Sequence, residues 1–170
     1  CLEQGVPEHQ FAARIEVEFA QPGTIGVGYN TLRFDDEITR FMFWRNLIDP
    51  YAREWQNQCG RWDLLDVVRM TYALRPDGMV WPKKDDGTPS FKLEHLAQAN
   101  GVREGDAHEA LSDVRALIGL ARRFKSAQPR LWDYAFELRD KRKVAGLLDV
   151  ANMTPLLHIS SRYPAKNHCA

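Results

Sequence analysis

A chain of 170 residues, 44% of them hydrophobic, holds material for one compact domain, or for one core with an outlying piece. Its 23 Lys and Arg balance 23 Asp and Glu, so bulk charge argues for neither a basic nucleic-acid binder nor an acidic tail, and any basic surface must be local. An aromatic content of 11% excludes a disordered chain, and no apolar run approaches the roughly 18 residues that suggest a membrane span.

In chain order, the first twenty residues carry Glu3, Glu8, Arg14, Glu16 and Glu18 where a signal peptide needs apolar side chains, so the reading is cytoplasmic, with no membrane partner. Residues 8–20 predict a surface helix. The turn Gln21-Pro22-Gly23 follows, then a β-type run at 24–29 whose Gly26 and Gly28 suggest close backbone approach. The run becomes a loop at Asn30, and a second helix opens at Asp35 or Asp36. A third helix is expected from about 63 to 74, with Leu64, Leu65, Val67, Val68 and Tyr72 as a broad apolar face. Pro76, Gly78, Pro82, Gly87 and Pro89 then punctuate a long surface loop at 75–90.

A short helix at 92–99 stops at Asn100-Gly101. The clearest element is 107–125, where Ala110, Val114, Leu117, Ile118, Ala121 and Phe124 recur at helical spacing and Asp106 with Glu109 resembles a capping box. Pro129 starts another helix with Leu131, Tyr134, Ala135 and Leu138 on one face. Residues 156–160 are a short apolar run of strand type with little after it to pair with. With Cys1 as its first residue, the chain is expected to be a piece of a longer protein. Cys1, Cys59 and Cys169 are too remote from one another to propose a disulfide framework or a zinc cluster. Charge is uneven: residues 1–37 hold seven acids and two bases, residues 122–143 eight bases and three acids, so a neutral total hides a basic stretch.

Two places could carry chemistry. One is Gly28 to Glu37, a strand end, a loop and the successive acids Asp35, Asp36 and Glu37. Acids at a helix N-terminus complement the macrodipole, which is sufficient structural reason for them. A strand end facing a helix start is also where an α/β protein places ligands, and a carboxylate there can hold a hard cation. The other is His108-Glu109-Ala110-Leu111-Ser112-Asp113. Five residues turn a helix by about 140°, so His108 and Asp113 act together only if His108 lies in the first turn. Otherwise His108 is a polar helix start and Asp113 a solvated flank. Divalent-metal phosphoryl chemistry would join the two places, with carboxylates holding ions and His108 as the base. No G-x-x-x-x-G-K, G-x-S-x-G, G-x-G-x-x-G or H-E-x-x-H is present, which leaves nucleotide-fuelled, serine-hydrolase, dinucleotide and zincin readings unsupported.

The blocks GYNTLRFDDEITR at 28–40, RWDLLDVVRMTYALRPDG at 61–78, WPKKDDGTPSFKLEHLAQANG at 81–101, AHEALSDVRALIGLAR at 107–122 and QPRLWDY at 128–134 together resemble bacterial exonuclease I, a DEDDh-type 3′ to 5′ exonuclease family acting on single-stranded DNA. The likeness runs from about residue 8 to residue 160 in one register. It implies an α/β, ribonuclease H-like exonuclease fold, truncated at the N-terminus so that the visible part is mostly helical. It also implies a two-metal site filled by Mg²⁺, with Mn²⁺ the alternative. By motif, Asp35 would support the second metal, largely through water, Asp113 would ligate the first, and His108 would be the general base. Asp36 and Glu37 match the family's acidic block without being ligands. The resemblance further implies docking of the acidic C-terminal tail of single-stranded-DNA-binding protein at Arg75 and Tyr134, and a monomer.

The family's first motif, an Asp-x-Glu on the opening strand, has no counterpart upstream of Asp35; Glu16 and Glu18 fall on a predicted helix and do not replace it. The domain reading is therefore a partial exonuclease domain at 1–128, a helical extension at 129–155 and the start of a truncated accessory domain at 156–170. Such a piece alone is expected to be poorly stable and to have little nuclease activity. Two alternatives stand beside this reading: a DEDDh exonuclease acting on RNA or short oligonucleotides, such as ribonuclease T or oligoribonuclease, and a non-catalytic binding module.

Overall fold

The computed structural model describes residues 5–103, 110–160 and 162–164. It divides into two units, Cys1–Asp63 and Leu64–Ala170.

In the first unit, helix α1 (Glu8–Phe19) leads into strand β1 (Ile25–Gly28), a 3₁₀ turn (Thr31–Arg33), helix α2 (Asp35–Arg45), two further 3₁₀ turns (Ala52–Glu54 and Gln56–Gln58) and strand β2 (Gly60–Asp63). The two strands pair in parallel with Ile25 opposite Gly60 and Gly28 opposite Asp63. A parallel pair needs a long crossover, and α2 with its flanking turns supplies it. Both glycines of β1 sit at close approaches: a Cβ on Gly26 would lie 2.9 Å from the Phe19 ring. Ala12 of α1 packs with Met42 and Phe43 of α2, joined by Ile15 and Ile48; burying Phe43 alone is worth about 1.5–3 kcal/mol.

Strand β2 departs from the sequence expectation, which begins a helix near Asp63. Gly60-Arg61-Trp62-Asp63 has one apolar side chain and no alternation, so nothing local marks a strand. The ladder to β1 and the burial of Trp62 and Asp63 make it one, and helix α3 starts only at Leu64.

A buried ion cluster ties the crossover to β2. Asp36 accepts from Arg53 Nη2 at 2.7 Å and from Arg61 Nη1 at 3.1 Å. Glu54 accepts from Arg40 Nε and Nη2 at 2.7 and 2.9 Å and lies 3.3 Å from Arg61 Nε. The Arg53 guanidinium also stacks over the Phe19 ring at 5.3 Å. Because Asp36 and Arg53 are both buried, removing either one strands the other's charge, a loss typically of about 3–5 kcal/mol. At the surface, Glu8 of α1 accepts from Arg45 Nε at 2.6 Å and Asn46 Nδ2 at 2.8 Å of the α2 end, and these bonds hold its carboxyl below the usual value.

The second unit is helical. Helix α3 (Leu64–Leu74) buries Leu64, Val67, Val68, Arg69 and Thr71, with Leu65 and Tyr72 half-buried. Arg69 Nη2 donates to the carbonyls of Tyr163 and Pro164 at 2.6 and 3.2 Å. Helix α4 (Leu93–Ala99) buries Leu96 and Ala97 and ends at Asn100, with Gly101 at φ +65°. The loop between α3 and α4 is stapled by Trp81, whose ring meets Tyr72 and Phe91 edge-on and Phe124 at a tilt, while its Nε1 donates to Pro76 O at 2.8 Å.

Helices α5 (Ala110–Ala127), α6 (Pro129–Glu137) and α7 (Lys141–Leu147) complete the unit. The expected capping pair Asp106 and Glu109 lies outside the described residues. On α5 the buried face is Ser112, Ala116, Leu120 and Phe124, a straight i, i+4 row. This corrects the predicted stripe, since Val114 and Ile118 are exposed. The row is chosen by its neighbour: α5 packs on α4, and a Cβ on Gly119 would come within 2.9 Å of Val102. Gly119 admits that approach, and the row it orients buries Leu120 and Phe124 beside the small Ser112 and Ala116. Residues 156–160 form no extended strand among the described residues, Ile159 alone being in a β-bridge, and none of the described helices is long and apolar enough to cross a membrane.

Candidate functional site

The turn from β1 into α2 brings the first candidate acid to the end of strand β1, at its buried residue Gly28. At Gly28 a Cβ would sit 1.9 Å from Thr31 Cγ2, so only glycine lets the turn fold back onto the strand end. Asn30 then adopts the left-handed region, φ 61° and ψ 24°, which Asn tolerates better than most residues. Asp63, opposite Gly28 on β2, accepts from the N–H of Asn30 through Oδ1 at 2.7 Å and from the N–H of Leu32 through Oδ2 at 3.2 Å. A buried carboxylate on the neighbouring strand therefore grips the turn that carries Asp35. In the sequence Asp63 reads only as a helix start. Its signal, an acid after a buried Trp, becomes meaningful only once the strands pair.

The three successive acids have different fates. Asp35 is the first residue of α2 and is exposed; its backbone carbonyl accepts from Thr39 Oγ1 at 2.7 Å, but its carboxylate has no ion pair or hydrogen bond among the described residues. Asp36 is buried and consumed by Arg53 and Arg61. Glu37 is exposed. Asp35 and Glu37 are both left available to an external cation among the described residues, and Asp36 is a structural anchor.

In the second unit, Asp113 stands in the first turn of α5, half-buried, next to buried Ser112. It too has no ion pair or hydrogen bond among the described residues. His108 lies outside the described residues. Asp35 and Asp113 are both hard oxygen donors uncommitted to protein cations, which is the donor chemistry a divalent ion such as Mg²⁺ requires. No group of three or more potential ligands gathers among the described residues. The pair that was expected to dock a partner tail is Arg75, exposed just past α3 with Nη1 donating to Leu74 O at 2.6 Å, and Tyr134, 48% exposed on α6.

A family model described as Exonuclease matches residues 3–121, and one described as Exonuclease I SH3-like domain matches residues 139–170. The chain is 53% identical over 162 residues to Exodeoxyribonuclease I of Escherichia coli (strain K12), covering 95% of this chain and 34% of that protein. It is 51% identical over 160 residues to Exodeoxyribonuclease I of Haemophilus influenzae, covering 94% of this chain and 34% of that protein. Among solved structures, E. coli Exonuclease I in complex with a dA16 oligonucleotide superposes with a TM-score of 0.89 at 53% identity, over 95% of this chain and 34% of that one. An ExoI/SSB-Ct complex superposes with a TM-score of 0.88 at the same identity, over 95% and 34%. The chain thus spans about a third of the length of the relatives it matches. On the family match over most of its length, and on structural likeness to nucleases of ribonuclease H-like fold, the chain belongs to the exonuclease I family.

Proposed function

We propose that the protein carrying this chain is a metal-dependent 3′ to 5′ exonuclease that degrades single-stranded DNA to mononucleotides. The observation that carries this reading is the 53% identity over nearly the whole chain to exonuclease I solved with a DNA oligonucleotide. Exonucleases of this family generally depend on a divalent metal; Mg²⁺, with Mn²⁺ as the alternative, suits the all-oxygen donors Asp35 and Asp113. Bound there, the ions would supply charge stabilisation at the phosphate and a more acidic attacking water. In this reading Asp113 is a direct ligand, Asp35 supports the second ion largely through water, and His108 takes the proton of the attacking water. The partial exonuclease domain spans 1–128, with a helical extension at 129–155 and an accessory domain beginning at 156. The full-length protein, a monomer in this reading, is expected to release nucleotides from the 3′ end of a labelled single strand in Mg²⁺ and to stop on addition of chelator. Undiminished release in chelator would end the two-metal reading.

Single-stranded-DNA-binding protein is the proposed partner, its acidic C-terminal tail docking at Arg75 and Tyr134. Support comes from the family's solved complex with SSB-Ct and from the exposure of both side chains. A planar guanidinium donates two bonds at once to a terminal carboxylate. Titration of a labelled tail peptide by fluorescence anisotropy should show weaker binding to Arg75→Ala than to wild type, by about 1.5–3 kcal/mol for a charged hydrogen bond; equal affinities would place the docking site elsewhere.

A further inference from the structure

We infer that Asp63 is a positioning residue for the metal-binding carboxylate Asp35, acting through the backbone of the turn between β1 and α2. The inference rests on the function proposed above and adds to it a residue that acts on Asp35 through the turn backbone.

Three observations support it. First, the two oxygens of Asp63 are shared between two backbone N–H groups, Asn30 at 2.7 Å and Leu32 at 3.2 Å, so the bond pair fixes the orientation of the turn as well as its distance from the sheet. Second, Asn30 is left-handed, and N–H groups converging around a left-handed residue form a concavity that attracts an anion. Such a nest could in principle hold a phosphate oxygen of the substrate. Here Asp63 fills it, so the turn serves to locate Asp35 and does not itself take up a phosphate. Third, the far side of Asp35 is anchored independently, because its neighbour Asp36 is locked by Arg53 and Arg61. Asp35 is thus held from the turn before it and from the helix after it, while its own carboxylate stays exposed at the helix start.

The clamp depends on charge and on geometry together. Asp63→Ala leaves both N–H groups without their acceptor. Asp63→Asn keeps one acceptor oxygen but sets an NH₂ against the other N–H, with little change in volume. In a variant that stays predominantly folded, a loss of global stability alone leaves the metal concentration for half-maximal rate unchanged; misplacement of Asp35 shifts that concentration.

The test uses full-length protein in three forms: wild type, Asp63→Asn and Asp63→Ala. Hydrogen exchange by mass spectrometry follows the backbone of residues 29–34, and hydrolysis of single-stranded DNA is titrated with Mg²⁺. Both variants should exchange faster in that segment and need more Mg²⁺ for half-maximal rate. In Asp63→Ala, kcat should fall by up to about 10²-fold, the scale on which small misplacements act, while KM for DNA stays near wild type. If Asp63→Ala does not fold, Asp63→Asn carries both measurements. Unchanged exchange, or faster exchange with a wild-type Mg²⁺ response, overturns the inference. A wild-type protein with no Mg²⁺-dependent hydrolysis overturns the proposed function instead, a failure visible before any variant is compared.

Discussion

Asp113→Ala in the full-length protein is expected to remove nearly all turnover, a loss of about 10³-fold or more, because a directly coordinated ion supplies several kcal/mol of charge stabilisation and each 1.4 kcal/mol is a factor of ten in rate. The substitution should spare the fold. The packing of α5 rests on Ser112, Ala116, Leu120 and Phe124, and among the described residues Asp113 makes no ion pair whose loss would strand a buried charge. Initial rates on a 3′-labelled single strand, read beside the circular dichroism of both proteins, separate the two effects. A folded variant within about tenfold of wild type would show that Asp113 is not a direct metal ligand.

His108→Ala should lower kcat by about 10²- to 10⁴-fold, the usual range for general-base help, and leave DNA affinity nearly intact because the base acts in the transition state. The pH profile adds an independent reading. An imidazole must be neutral to accept a proton, so the wild-type rate should fall toward acid, and that acid limb should be missing from the variant's residual rate. Binding measured in chelator keeps affinity apart from chemistry. A variant with near-normal kcat and weakened binding would reassign His108 to DNA contact.

What could be read from the amino-acid order is what local physics controls. The helices at 8–19, 93–99 and 129–137 follow from apolar spacing together with Pro and Gly punctuation, and the order of blocks such as GYNTLRFDDEITR and QPRLWDY was enough to place the family. The β1 strand was legible for the same reason, a short β-prone run between a Pro-Gly turn and an Asn. The existence of β2 was not, because a strand with one apolar residue becomes a strand only through its partner's ladder, and the ladder is a long-range contact. Likewise the buried face of α5 is not legible in the sequence, since Val114 and Ile118 outrank Ala116 and Ser112 in hydrophobicity, yet the close approach of Val102 to Gly119 turns the Ser112, Ala116, Leu120 and Phe124 row inward.

The site divides along the same line. Sequence alone determined that acids stand at 35–37 after a strand end and at 113 in a helix, because residue type and spacing are written in the chain. Only the tertiary structure decided which acid is available. Asp35 and Asp36 are adjacent and chemically identical, and they differ because the ion cluster brings Arg53 and Arg61 to Asp36 and, among the described residues, no cation to Asp35. Asp63 acquires its role in the same way: a carboxylate can grip the N–H groups of Asn30 and Leu32 only after parallel pairing sets it opposite Gly28, a juxtaposition of residues remote in the chain that no local signal encodes.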